Sequence, residues 1–389
     1  MTRNIRIYYF LISVVGGIFS TAMPLYYQEL TFSSYQIGIL IALPSAAMLF
    51  QPLWGVLVDK YQKAREPGIF GILLSGVILS LLLFATSFTQ VLIIVGLYSF
   101  IKAPVWSSID NIIITHCLNN NINYGPLRVF ASIAWGASLV LFLPFNLLFG
   151  FQSYFIINLL ISIYVAYIIL KLPRTINLDN DEHDLGENAK FSDGLKFLIK
   201  DRSFRYIILF TLFFSTLFVT NLNYQALYFE QLGQSQLFIS IAMFVSIMPE
   251  LFLLPVVERI SANNNPIKLL MVVSIAYILK YIIFATVTSI PVLLIFSSLH
   301  GIAMSFYIPI FIKLLKKSVP NNVSTTAITF NGFIAAITGI VISIFSGFVS
   351  GQFGIEYVFI MVAGFQTCGL LVLVAFNRFS TIKTLNSLH

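Results

Sequence analysis

Long apolar runs recur from one end of this chain to the other, each of roughly the 20 residues that a helix needs to cross about 30 Å of hydrocarbon. Twelve can be counted, at about 7–29, 35–58, 67–87, 90–117, 126–149, 151–172, 204–229, 235–257, 267–289, 291–315, 323–350 and 354–377. Only 10% of the residues are charged and 58% are hydrophobic, with a mean hydropathy of +0.91. A soluble domain carries about 25% charged residues, so this chain could not solvate its own surface in water. The predicted class is an all-α integral membrane protein of twelve transmembrane helices. The first run is followed by eleven more and has no small-residue cleavage site, which predicts a retained span and not a removed signal peptide.

The basic residues then orient the spans. With the amino terminus placed in the cytoplasm and the loops numbered alternately, cytoplasmic segments and adjoining helix ends hold 20 of the 22 Lys and Arg, all but Lys102 and Lys280. This partition is the one the positive-inside rule requires. It predicts a multi-pass protein of the cell membrane with both termini cytoplasmic. The net charge of +7 then follows from topology and contact with anionic lipid, and no nucleic-acid partner is expected. The two cysteines, Cys117 and Cys368, lie at helix level and predict neither a disulfide nor a metal site. No cofactor is expected.

A polar stretch interrupts the pattern over residues 173–203 and divides the chain into an amino-terminal half, 1–172, and a carboxy-terminal half, 204–389, of six spans each. Its acidic part, "NLDNDEHDLGENAK", reads as a solvated linker. Its basic part, "FSDGLKFLIKDRSF", sets Phe191, Leu195 and Leu198 on one face and suits a short helix on the cytoplasmic membrane surface. The halves echo each other. "LYYQEL" ends the first span and "LYFEQL" the seventh; "IALPS" around Pro44 matches "SIMPE" around Pro249; "LVDKY" matches "VVERI". Such weak repetition at half-length marks a transporter of two six-helix bundles with its substrate near the midplane.

The loop "PLWGVLVDKYQKAR" holds Gly55, then Asp59 four residues later, then Lys60, Lys63 and Arg65. In this it resembles the major facilitator superfamily, in which such a loop is a gate latch. Longer stretches, among them "APVWSSID", "YGPLRVFASIAWG", "ILKYIIF" and "LHGIAMSFY", resemble the branch containing the 3-phenylpropionate permease. That branch neighbours the lactose-permease-type oligosaccharide/proton and the nucleoside/proton symporters. The resemblance implies the twelve-helix facilitator fold with two pseudo-symmetric bundles, and a proton as the coupled ion.

Several polar residues lie inside the spans: Lys102, Asp110, Glu250, Lys280 and His300, with Arg128 just inside the fifth. Each ionised one costs about 2.5–3.5 kcal/mol at the bilayer centre on insertion scales, so they must pair, face water or titrate. Lys102, Trp106 and Asp110 are four apart and share one stripe of a helix. Lys102 and Asp110 are separated by roughly 12 Å along the axis, too far for a direct bond. Glu250 and Lys280 are the simplest pair to expect, and Glu250 or Asp110 is the candidate proton carrier. The resemblance places Lys280 and Glu250 where related permeases carry a basic and an acidic residue. It also shows a departure, because the carboxylate that lactose permease has three residues after its histidine is Ala303 here. On the seventh span Asn221, Tyr224, Gln225 and Tyr228 form a polar-aromatic stripe that lines the cavity or bonds neighbouring helices.

Three cations against two carboxylates leave one positive charge with His300 neutral, which favours an anionic solute. The expected function is proton symport of a small organic anion, aromatic ones included, by a monomer. Sugar or nucleoside symport and drug efflux are the alternatives within the class, and a non-transporting membrane sensor is the alternative outside it. No nucleophile–base pair, nucleotide loop or metal-ligand spacing is present, so an enzyme is not expected.

Overall fold

The computed structural model describes residues 2–50, 65–120, 122, 124–172, 198–319 and 324–386. The expected gate residues Gly55, Asp59, Lys60 and Lys63 lie outside the described residues, as does most of the linker. The helices of the first half are α1 (Thr2–Glu29), α2 (Ser34–Met48), α3 (Arg65–Ser80), α4 (Phe88–Asn119), α5 (Gly125–Phe149) and α6 (Gln152–Leu170). In the second half the seventh span is composite. It runs as α7 (Arg202–Phe214), α8 (Thr216–Val219), a π turn (Thr220–Tyr224) and α9 (Gln225–Gln231). Then follow α10 (Gln236–Asn263), α11 (Pro266–Thr286), α12 (Ile290–Ser297), α13 (Leu299–Ser318), α14 (Ser324–Phe353) and α15 (Ile355–Asn386). Among the described residues eleven stretches are long and apolar enough to span a membrane; α2 is a shorter apolar helix whose expected continuation falls outside them.

Local chemistry sets several boundaries. Ser33 and Gln36 form a reciprocal capping box at the start of α2. The Asp201 side chain caps α7 by accepting from the Phe204 amide at 2.8 Å. Asn265 caps α11, with Pro266 at its first position, where a missing N–H costs nothing. α5 stops at Gly150, whose φ of +68° is open to glycine at little cost.

Contacts repeat between the halves. In the first, the third span packs on the fourth and the sixth (α3 on α4 and α6); in the second, the ninth packs on the tenth and the twelfth (α11 on α13 and α15). This is the pseudo-symmetry expected from the sequence echoes. The chain divides into two compact units, Met1–Glu182 with Gln225–Phe244, and His183–Tyr224 with Val245–His389. The second unit thus lacks α9 and the start of α10, which count with the first. Large apolar side chains point outward on many helices, Phe70, Phe84, Leu148 and Leu371 among them. Exposed apolar faces on helices that satisfy their own backbone are what a bilayer demands.

Two tight contacts lock helices together. Arg65, buried at the start of α3, donates through Nη1 to the carbonyls of Leu170 and Leu172, both at 3.1 Å. It thereby fills orphan acceptors at the end of α6. Gly301 on α13 faces α10 so closely that an added Cβ would stand 2.8 Å from the Ser246 carbonyl oxygen, 2.9 Å from Pro249 Cδ and 3.0 Å from the Ile247 oxygen. These neighbours are backbone and a ring, which cannot turn aside. Gly301→Ala is therefore expected to destabilise the protein by about 1–3 kcal/mol, the usual cost of overpacking. Gly332→Ala, at a position with nothing within 4 Å, is the control. Melting temperatures of the two purified variants check this, and equal melting would show that α10 and α13 can separate freely.

Candidate functional site

In the first half the polar residues gather in two places along α4. Asp110, half-buried, accepts from the hydroxyl of Tyr9 on α1 and from that of Tyr124, just before α5. The Tyr124 hydroxyl lies 3.0 and 3.1 Å from the two carboxylate oxygens. Tyr9 is fully buried, its hydroxyl stands 3.3 Å from that of Tyr124, and Tyr8 packs edge-on against its ring. Arg128, exposed on α5, acts on Tyr124 through its charge. Two turns back along α4, Lys102 donates to the Tyr98 hydroxyl and sits 4.8 Å from the centre of that ring. Lys102 and Asp110 thus have separate partners, as their spacing implies. Trp106 lies between them on the helix, but its side chain falls outside the described residues.

In the second half Lys280 is fully buried on α11 and donates to Asn221 Oδ1. The rings of Tyr281 and Phe284 lie 5.7 and 5.4 Å from its nitrogen. The expected pair with Glu250 is not among the contacts of the described residues, which include this bond to an amide of the seventh span. His300 Nδ1 is 3.0 Å from the Tyr277 hydroxyl, and His300 feels the Lys280 charge. Glu250, on α10, is half-buried and acts on Tyr277 electrostatically; among the described residues nothing hydrogen-bonds it.

Asn221 owes its place to the π turn, which inserts wider i→i+5 spacing in the middle of the span. Such turns collect at functional positions, since they re-aim side chains at a local cost. Asn221 Oδ1 is engaged, while its buried Nδ2 has no hydrogen-bond partner among the described residues. The predicted stripe is also redistributed. Asn221, Tyr224, Gln225 and Tyr228 are all buried, but Tyr224 reaches across to the Ser343 carbonyl of α14 at 3.3 Å. For Tyr224 that is the helix-to-helix role, and Gln225 and Tyr228 count by their contacts with the first unit.

Sequence reasoning did not single out Tyr9, Tyr98, Tyr124 or Tyr277. Two had a local signal: Tyr98 stands four before Lys102, and Tyr277 three before Lys280, helical neighbours in both cases. Tyr124 opens the quoted "YGPLR". Tyr9 had none, because it lies on another helix, 101 residues from Asp110 in sequence.

The MFS_1 like family matches residues 2–361. An uncharacterized transporter of Bacillus subtilis, YwbF, is 24% identical over 317 residues, 79% of this chain and 76% of its own. The maltose permease of Geobacillus stearothermophilus is 22% identical over 330 residues, 83% of this chain and 80% of its own. Among solved structures, a point mutant of the nucleoside transporter NupG superposes with a TM-score of 0.81 at 20% identity, covering 96% of this chain and 99% of that one. A bacterial homologue of the lysosomal transporter Spinster reaches a TM-score of 0.75 at 13% identity over 97% of this chain and 96% of that one. The fold is therefore the twelve-helix major facilitator fold, in two pseudo-symmetric six-helix bundles. The chain belongs to the MFS_1 like family of the major facilitator superfamily and is a multi-pass membrane transporter, not an enzyme.

Proposed function

We propose that this transporter carries a small organic anion together with a proton, with both termini in the cytoplasm of a cell-membrane monomer. Lys102 carries this reading: its ammonium, at membrane depth on α4, is held by a tyrosine hydroxyl, and no carboxylate of the described residues pairs with it. A cation left with a neutral partner keeps protons for an anion from outside, and such charge-assisted bonds are stronger than neutral ones. Lys280 and Arg128 add to the positive count, with Trp106, Asn221, Gln225, Tyr228 and His300 as further solute contacts. Glu250 carries the proton, since Asp110 is already engaged by two hydroxyls. The proposed halves are 1–172 and 204–389, joined by the linker 173–203, and the loop of Gly55, Asp59, Lys60, Lys63 and Arg65 is the proposed gate.

A second reading, a neutral solute rich in hydroxyls, has its own support. Two relatives are named for maltose and for nucleosides, and the Nδ2 of Asn221, which has no partner among the described residues, is a donor suited to a neutral oxygen. Substituting Lys102 by Met separates the two. An acid and its matching amide are bound to wild type and to the variant. The expected result is that the acid loses about 1.5–3 kcal/mol of binding, the worth of a charge-assisted hydrogen bond, and the amide far less. Equal losses would favour the neutral solute and leave Lys102 structural.

A further inference from the structure

The seventh span is interrupted twice, at Ser215 and again over Thr220–Tyr224. α7 ends where the Ser215 amide donates to the Thr211 carbonyl at 2.9 Å, and the next turn tightens, with the Phe218 amide donating to the Ser215 carbonyl at 3.2 Å. A cut helix at membrane depth frees carbonyls that neighbouring side chains have to satisfy. Here the donor is Gln366, fully buried on α15. Its Nε2 lies 3.0 Å from the Phe213 carbonyl oxygen, 3.5 Å from that of Phe214 and 3.1 Å from the Thr216 hydroxyl. The Thr216 hydroxyl accepts from it and donates in turn to the Phe213 carbonyl at 2.8 Å. Carbonyls only accept, so the nitrogen end of the amide has to face the break. Gly369, one turn further along the same face, brings α15 close enough: an added Cβ would stand 3.3 Å from Phe213 Cβ. The other end of the amide is left over, since Gln366 Oε1 is buried with no hydrogen-bond partner among the described residues. An unsatisfied acceptor in an apolar bundle is costly, so the return on this glutamine lies at its nitrogen.

From the break the ties run on to Asn221. Between the two interruptions α8 is a single turn, too short to hold a direction of its own. Thr220 Oγ1 donates to the Thr216 carbonyl at 3.2 Å, and Thr220 opens the π turn whose second residue is Asn221. Asn223 Nδ2 donates to the Val219 carbonyl at 2.9 Å. From α11, Lys280 bonds Asn221, and the next residue, Tyr281, reaches the Leu217 carbonyl at 3.5 Å. The turn that carries Asn221 is therefore anchored to α15 at its start and to α11 along its side.

We propose that Gln366 is a positioning residue: by anchoring the break at Ser215 it fixes the rotation of α8, and so presents Asn221 to Lys280 and to the solute. The proposal rests on the reading of Asn221 and Lys280 as solute contacts. It adds a requirement from the twelfth span, exerted through the backbone of the seventh.

Gln366→Met keeps the length of the side chain and removes the donor. A double-mutant cycle with Asn221→Ala, read by the melting temperature of the purified protein, separates positioning from packing, because independent sites add and coupled sites do not. The expected result is that Asn221→Ala lowers the melting temperature in the wild-type background and lowers it less than half as far in Gln366→Met, where Asn221 has already lost its aim. Equal shifts in the two backgrounds, or no shift from Asn221→Ala in the wild type, overturn the proposal. Should Gln366→Met not purify as folded protein, Thr216→Val takes its place in the cycle. It severs the same tie without touching α15, and the same two outcomes decide. Uptake by the reconstituted variants, with radiolabelled benzoate as probe and benzamide as its neutral counterpart, tells the failures apart. Below saturation, Gln366→Met is expected to lower benzoate uptake per folded protein about tenfold in the wild-type background and less than about twofold in Asn221→Ala. If Asn221→Ala lowers uptake while the cycle is additive, Gln366 alone is misassigned. If the cycle is coupled but Asn221→Ala leaves uptake of both probes within twofold of wild type, the reading of Asn221 as a solute contact falls and takes this assignment with it.

Discussion

Glu250→Gln is expected to abolish uphill accumulation of the solute while leaving exchange of labelled for unlabelled solute near the wild-type rate. A residue that carries a proton across must both take it up and release it, so it cannot be tied permanently to donors. Asp110 is tied, with Tyr9 and Tyr124 donating to it. Glu250 is half-buried on α10 and no hydrogen bond among the described residues reaches it. Glutamine keeps the shape and the packing but cannot lose the proton-like N–H, so net symport stops. Exchange needs no net proton movement and continues. Accumulation in proteoliposomes under an imposed pH gradient, with exchange measured on the same vesicles, checks this. For one proton per solute, wild type gains about tenfold in accumulation per pH unit, because one unit is about 1.36 kcal/mol. Continued accumulation by the variant would move the proton site elsewhere, Asp110 being next.

Lys280→Met should reduce transport by about 10- to 100-fold with a change in stability of no more than about 1 kcal/mol. Lys280 is fully buried and bonded to Asn221. Methionine fills a similar volume and adapts its shape, and replacing a buried charge by a well-packed apolar group is often neutral or stabilising. The loss of a donor to Asn221 offsets part of that gain. Function and stability then separate, which is the mark of a residue kept for the solute. Thermal melting and initial uptake rates on one preparation read both. A sharp fall in melting with uptake reduced only in proportion to folded protein would make Lys280 a packing element.

The fold was open to reading because the bilayer imposes a length and the charges impose a side. Most of the apolar runs become helices close to their expected places among the described residues, and the contacts of the third span recur in those of the ninth. The site was less open. Lys102, Asp110, Glu250, Lys280 and His300 stand out because ionisable groups are costly at membrane depth, but their partners do not. Tyr9 looks like any other aromatic in an apolar run until packing sets its hydroxyl beside Asp110. The expected Glu250–Lys280 contact rested on adjacency of spans, whereas the bond to Asn221 depends on the π turn over Thr220–Tyr224. A 3.6-residue period assumed throughout the seventh span has no means of signalling that turn.

The central claim, proton-coupled transport of an organic anion, is tested most directly in sealed proteoliposomes. A carboxylate and its matching amide are offered under an imposed pH gradient, acidic on the side of solute addition, with internal solute and internal pH followed together. The predicted result is accumulation of the carboxylate above its equilibrium distribution, with acidification of the lumen that tracks its uptake, and no accumulation of the amide. Equal accumulation of both ligands, or carboxylate uptake that ignores the gradient and moves no protons, would contradict it.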